Sequence, residues 1–163
     1  MRWVVNRLLE FCRTVPDLVF ALLFVGAFGL GPLAGVLAIG IHSFGTLGKL
    51  FVEAIENIDM NPVEGVRSVG GRFVDVVRFA ALPQVLPNLA SYSLLRFEIN
   101  VRASSIVGFV GAGGIGQDLF VAIRKFYYTD VSAILLMIIV AVSIIDVLTE
   151  RIRHRLAPVE IVA

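Results

Sequence analysis

From Leu18 to Gly48 the chain runs without a single Asp, Glu, Lys or Arg. One crossing of a bilayer needs roughly 20 apolar residues, so the run is too long for one span and must fold back on itself. The stretch Gly29-Leu30-Gly31-Pro32 is where it can do so, since two glycines and a proline strongly disfavour a continuous helix. A tight reversal there predicts a first span over about 15–30 and a second over about 33–55. Both are helices, because an unpaired backbone in hydrocarbon is too costly. Composition agrees: 58% of the 163 residues are hydrophobic, 17% are charged and the mean hydropathy is +0.89. A soluble domain averages about 45–50% apolar and about 25% charged. The expected class is therefore an all-α integral membrane protein.

Residues 56–84 break the apolar pattern, with Arg67, Arg72 and Arg78 among the acids Glu56, Asp59, Glu64 and Asp75. This is an extramembrane loop with structure of its own. Asn61 is the predicted cap of a helix that begins at Pro62, with Glu64 at its third position near the positive end of the helix dipole. Gly70-Gly71 interrupts that helix. Beyond the pair, Phe73, Val76, Val77 and Ala80 fall at i, i+3, i+4 and i+7 and predict a second short helix with one apolar face, ended by Leu82-Pro83. A third span over about 85–108 contains Arg96, Glu98 and Arg102. Charges at that depth are expensive and should face protein or water. Glu98 and Arg102 stand one turn apart in the favourable acid-first order and are expected to pair, whereas Arg96 has no obvious local partner. Phe126, Tyr127 and Tyr128 suit a membrane interface, and a last span covers about 130–149.

The net charge of +1 conceals a strong asymmetry. Four spans place ten basic residues, Arg2, Arg7, Arg13, Lys49, Arg67, Arg72, Arg78, Arg151, Arg153 and Arg155, on the side holding both termini and the 56–84 loop. The other side has Arg124 and Lys125. The positive-inside bias then puts both termini and the loop in the cytoplasm. The near-zero balance gives no reason to expect a nucleic-acid partner. The N-terminal arginines are not followed by an apolar core and cleavage site, so no signal peptide is expected. Cys12 cannot form an internal disulfide and suits a small packed or interfacial position.

Gly111, Gly113 and Gly116 have the G-x-G-x-x-G spacing of a dinucleotide-binding loop, and Asp130 stands 19 residues after Gly111, near where a ribose-binding acid would be. The context fails: a helix-length segment precedes the glycines, and RKFYYT is a poor buried strand. Two readings remain, close helix packing through small residues, or a broken backbone that lines a solute path together with Gly114. His42, alone on an apolar span, is expected to be a packed, hydrogen-bonded residue, and no neighbouring His or Cys supports a metal site.

A more specific pattern runs from Glu64: E-G-V-x-x-x-G-x(9)-A-x-L-P, through Gly70, Ala80, Leu82 and Pro83. It resembles the E-A-A-x-x-x-G-x(9)-I-x-L-P loop of ABC importer permeases, departing at Gly65, Val66 and Ala80. The stretches EAIENID, PVEGVRSVGG, ALPQVLPNLASYSLLRFEINVRASSIVGFVGAGGIG and IIVAVSIIDVLTERIRHRL resemble the permease subunit of phosphonate-type importers. That resemblance implies a type I importer permease fold with about four transmembrane helices and a cytoplasmic helix-turn-helix coupling loop. It also implies that the first transmembrane helices of such permeases, which usually precede the arginine-rich segment, are missing here.

Its implied partners are a cytoplasmic ATP-binding subunit, a periplasmic or lipoprotein solute-binding protein, a second permease copy or companion permease chain, and membrane lipid. ATP hydrolysis belongs to the partner, so no catalytic residue, cofactor or metal is expected in this chain. Carried onto this sequence, the coupling loop holds Glu64, Gly65, Arg67, Gly70, Leu82 and Pro83. For a phosphonate or related phosphorus oxyanion, Arg96, Glu98, Arg102, Gly111, Gly113, Gly114 and Gly116 are candidate path residues, because anions suit guanidinium groups and exposed backbone N–H groups. The alternatives are another solute, such as methionine or a quaternary amine, an inactive fragment, a small oligomeric channel, or a membrane-bound dinucleotide enzyme.

Overall fold

The computed structural model describes residues 2–156, and among these no strand occurs. The helices are α1 (Arg2–Thr14), α2 (Asp17–Phe28), α3 (Pro32–Glu56), α4 (Met60–Ser68), α5 (Phe73–Val76), α6 (Leu82–Val107), α7 (Ile115–Arg124) and α8 (Tyr128–Leu156). A widened turn of π type, Val77–Ala81, joins α5 to α6, and a 3₁₀ turn, Gly108–Val110, follows α6. The reversal expected at 29–32 is present: Gly29 and Gly31 both have positive φ, at 86° and 157°, and Pro32 opens α3.

Helices α3 (25 residues), α6 (26) and α8 (29) are longer than the about 20 residues that a roughly 30 Å hydrocarbon core demands. Two segments, Pro32–Glu56 and Tyr128–Arg153, are each long and apolar enough to cross a membrane. Two bent pairs qualify if each is taken as one broken span: Trp3–Thr14 with Asp17–Phe28, bent by 89°, and Phe73–Val110 with Ile115–Arg124, bent by 42°. The sequence pattern predicts only the second half of the first pair. Alone, α2 has 12 residues, about 18 Å of helix.

Helix α3 is the hub, packed by α1, α2 and α6, while α8 lies along α6 and α7. The contact is made by small residues. Phe20, Ala21, Ala34, Ala38, Val107 and Ala112 form the main core, with Ala21 and Ala38 wholly buried. A Cβ on Gly45 would lie 2.7 Å from the Cβ of Cys12, and one on Gly48 would lie 2.7 Å from Leu9 Cδ2. Helices in lipid gain from such close approach because dispersion and not water exclusion holds them together. The outer face of α8 is apolar and open, with Leu136, Ile139 and Ile144 each more than half exposed. A patch of this kind suits lipid or another helix.

Two sequence expectations are corrected here. Leu82-Pro83 does not end the second short helix. The π turn carries α5 straight into α6, with the Leu82 N–H donating to the Val77 carbonyl, and Pro83 falls in the first turn of α6, where its missing N–H is tolerated. The last helix is also longer than 130–149: it begins at Tyr128 and continues through the arginine-rich stretch to Leu156.

Candidate functional site

The loop between α3 and α6 is a small folded unit. The cap of α4 is Asp59 and not Asn61: an Asp59 carboxylate oxygen accepts from the Asn61 N–H at 3.0 Å, so the helix starts at Met60 and Pro62 sits inside its first turn. A carboxylate is a strong acceptor at a helix N-terminus and is helped by the dipole. Gln84, which no sequence motif signalled, clips the unit shut. Its side-chain amide donates to the Ala80 and Asp59 carbonyls (2.8 and 3.2 Å), and its side-chain oxygen accepts from the Asp59 N–H at 2.9 Å.

Val63, Val76 and Ala80 are buried against one another with Ile58 and Val66 beside them. Of the apolar face expected beyond the glycines, Val76 and Ala80 are therefore in this core. Phe73 (78% exposed) and Val77 (39% exposed) are not.

Gly70 closes α4 with φ of 82°, its N–H donating to the Arg67 carbonyl while the Gly71 N–H donates to Val66. Nothing lies within 4 Å of where a Gly70 Cβ would be, whereas one on Gly71 would lie 2.6 Å from the Val66 carbonyl oxygen. Glu64, Gly65, Arg67, Gly70, Leu82 and Pro83 are all exposed. Around them Val69, Phe73, Val74 and Phe79 are also exposed, at 64–84%. The loop thus has an interior that holds its shape and an exterior that is apolar with scattered charge.

The second candidate region lies beyond α6. Gly111, Gly113 and Gly114 have positive φ near 80°, so the backbone is broken there. Gly116 and Gly108 mark close packing: a Cβ on Gly116 would fall 1.9 Å from the Ser105 carbonyl oxygen, and one on Gly108 2.8 Å from Gly113 O and Gln117 N. The glycines thus divide by position, Gly108 and Gly116 marking close packing and Gly111, Gly113 and Gly114 a broken backbone. The break is docked on the α2–α3 reversal, since the Gly31 N–H donates to the Gly111 carbonyl at 3.0 Å. A Cβ on Gly35 would sit 2.7 Å from the Ala112 carbonyl oxygen. An open cleft of about 350 Å³ borders this corner, lined by Pro32, Gly35, Val36, Ile39, Gly40, Ser104, Val107, Ala112, Gly113, Gly114 and Ile115. A helix, not a strand, precedes the glycines, and Asp130 lies in the first turn of α8. The dinucleotide reading is excluded on that geometry.

Neither arginine lines the cleft. Arg96, 7% exposed, points between helices: its Nε–H donates to Ser43 Oγ of α3 at 3.2 Å, and the Ser43 hydroxyl donates to Asn100 Oδ1 at 2.9 Å. Its partner is distant in sequence, which is why no local partner was legible. Asp17 also acts on it electrostatically. His42 is packed as expected, with Nδ1 3.0 Å from the Val15 carbonyl and 3.2 Å from Asp17 Oδ1. Among the described residues no group of acids, His and Cys could hold a metal ion.

Arg102 pairs with Glu98, as its spacing predicts, and also with Asp146 of α8 at 2.8 Å. Asp146 is the residue that sequence reasoning missed. A lone acid inside an apolar span was the available signal, since such a charge needs a partner. The second acid changes the expected effect of a substitution. Glu98→Gln or Asp146→Asn alone should lower the melting temperature in detergent only slightly, because one carboxylate still holds Arg102. The double variant should lose far more than the two single effects added together. A large loss from Glu98→Gln alone would contradict the shared arrangement.

The family model described as "Binding-protein-dependent transport system inner membrane component" matches residues 1–159. The phosphite transport system permease protein PtxC of Stutzerimonas stutzeri is 47% identical over 88% of this chain and 52% of its own length. The phosphate-import permease protein PhnE of Mycolicibacterium smegmatis is 46% identical over 94% of this chain and 29% of its own. The chain thus spans about half or less of the length of these relatives. Among solved structures, a chain from the inward-facing MetNI methionine ABC transporter superposes with a TM-score of 0.76 at 22% identity, over 96% of this chain and 76% of that one. That likeness establishes the type I permease fold. With a family match across nearly the whole sequence and relatives near half identical, the chain belongs to the family of binding-protein-dependent transport system inner membrane components.

Proposed function

We propose that this chain is a permease subunit, or part of one, in an ABC importer for a phosphorus oxyanion such as phosphite, phosphate or a phosphonate. The observation that carries the reading is the 46–47% identity to relatives named for phosphite and phosphate transport. Four membrane segments, α2, α3, α6–α7 and α8, would set both termini and the 56–84 loop on the cytoplasmic side. The ten-to-two division of basic residues supports that orientation.

ATP hydrolysis then takes place on a separate cytoplasmic subunit, and solute arrives from a periplasmic or lipoprotein binding protein. A second copy or a companion permease chain completes the pore. The exposed apolar exterior around Gly70 and Phe73 is the surface offered to the ATP-binding subunit, and its clipped interior lets the loop move as one piece. The glycine corner is the candidate path, where exposed backbone N–H groups suit an anion. The chemistry of this chain is positioning alone, without a catalytic residue.

Gly70→Asp is the test. Open space surrounds the position, so the substitution costs only the strain of a positive φ, about 1–2 kcal/mol, and the protein should insert and fold. It places a charge in the middle of the proposed docking face. Uptake of phosphite or phosphonate by the complete transporter should fall to background while membrane content stays near normal. Undiminished uptake would overturn the assignment of the loop. Uptake of methionine instead, by the unsubstituted protein, would replace the solute while leaving the permease reading intact.

A further inference from the structure

We propose that α1 is an interfacial helix whose basic side chains bind the headgroups of anionic phospholipid. The inference deepens the membrane reading above and rests on it. Helix α1 leaves α2 at 89°, so it does not continue the α2 span. It shows three distinct faces. Leu9 (4% exposed) and Cys12 pack on Gly48 and Gly45 of α3. Val4, Leu8 and Phe11, at i, i+4 and i+7, form a second apolar stripe that touches little, 53–63% exposed. The remaining arc is polar. There Glu10 receives Arg7 at 2.8 Å and stands 3.9 Å from Lys49 of α3, with exposed Arg13 further along.

A stripe of three large apolar side chains beside a polar arc is the pattern of a helix that lies at the boundary between headgroups and acyl chains. Charge decides the occupant. Among the described residues Arg7 and Lys49 share one acid, Glu10, and Arg13 adds a third positive charge, so the arc keeps an excess of positive charge. It lies at the end of the molecule where the basic residues are concentrated. An uncharged protein helix would satisfy the apolar stripe but leave the excess positive charge uncompensated. A layer of anionic lipid satisfies both.

Trp3, the single tryptophan of the chain, is 70% exposed and has the Arg7 guanidinium 5.6 Å from its ring centroid. It is a built-in reporter of what surrounds α1. The full chain would be reconstituted in nanodiscs of phosphatidylcholine and phosphatidylglycerol, with bromine on the acyl chains of one lipid at a time, and Trp3 fluorescence followed. Bromine on phosphatidylglycerol should quench Trp3 more strongly than bromine on phosphatidylcholine at equal mole fraction. The local enrichment should be about fivefold for each arginine that reaches the headgroups. Arg7→Gln/Arg13→Gln should abolish the preference while some quenching remains.

Equal quenching by the two lipids in the unsubstituted chain would overturn the anionic-lipid assignment. Quenching by aqueous iodide without quenching by either lipid would mean that α1 lies in water. Protection from both would mean that a second copy or a companion chain covers it, and would overturn the proposal equally. Trp3→Phe/Leu136→Trp moves the reporter to the open face of α8. If that variant is not quenched by brominated lipid, the membrane reading itself has failed, independently of α1.

Discussion

Gly116→Ala is expected to destabilise the protein by more than 3 kcal/mol, above the about 1–3 kcal/mol typical of one added group in a packed interior. The added Cβ would lie 1.9 Å from the Ser105 carbonyl oxygen, 2.9 Å from its carbon and 3.1 Å from Gly108 Cα. All three are backbone atoms, so no side-chain rotation relieves the contact. The end of α6 and the start of α7 must separate by more than 1 Å, and the corner built on them against Gly31 and Gly35 must move too.

Two other glycines calibrate the result. Gly114 has φ of 79° and ψ of −173°, a conformation nearly confined to glycine, but open space around a Cβ, so Gly114→Ala should cost only backbone strain, about 1–3 kcal/mol. Gly26 lies inside α2 with nothing within 4 Å of a Cβ, and Gly26→Ala should gain up to about 1 kcal/mol of helix propensity. Thermal unfolding of the three variants in detergent should rank them in that order. A Gly116→Ala protein that melts with the native one would mean that α6 and α7 do not pack as described.

The elements most legible in the sequence are those where one local pattern decides. The uncharged run broken at Gly29–Pro32 could be little else than a helical hairpin, and the glycine pair at 70–71 could only interrupt a helix. The Glu98–Arg102 pair was legible because its members lie on the same helix, one turn apart. The rest was set by contacts between segments far apart in sequence. Asp59 caps α4 in place of Asn61, and Gln84, 25 positions later, holds that cap in place. Nothing near Asp59 announces this.

Helix α5 runs into α6 because a π turn absorbs Pro83, and neither periodicity nor propensity encodes a π turn. Helix α1 carries a strong amphipathic pattern, yet its arginines drew attention to topology instead of to the stripe formed by Val4, Leu8 and Phe11. The family resemblance suggested what local reasoning could not, a coupling role for the loop. Even so, it grouped Arg96 with the glycines, and the structure separates them.

That separation leads to the second large effect. Arg96→Met should destabilise the protein by about 1–3 kcal/mol, the typical loss when a buried polar group is left without its hydrogen-bond partner. Arg96 is 7% exposed and bonded to Ser43, and its charge acts with that of Asp17. Asp17 Oδ1 and Arg96 Nη2 are both buried without a hydrogen-bond partner. Removing the arginine leaves the Ser43 hydroxyl without its donor and takes away a positive charge that acts on Asp17, whose carboxylate keeps His42 at 3.2 Å. Asp17→Asn removes that acid, so Asp17→Asn/Arg96→Met should recover part of the loss, and the cycle of four proteins should be non-additive.

A solute-binding arginine would behave otherwise. Arg96→Met would then leave the melting temperature nearly unchanged and raise the KM of uptake, and Asp17→Asn would rescue nothing. Melting curves of the four proteins, read beside uptake by the corresponding complete transporters, distinguish the two roles. The buried geometry of Arg96 predicts the first, in which it joins α2, α3 and α6 around the hub of the bundle.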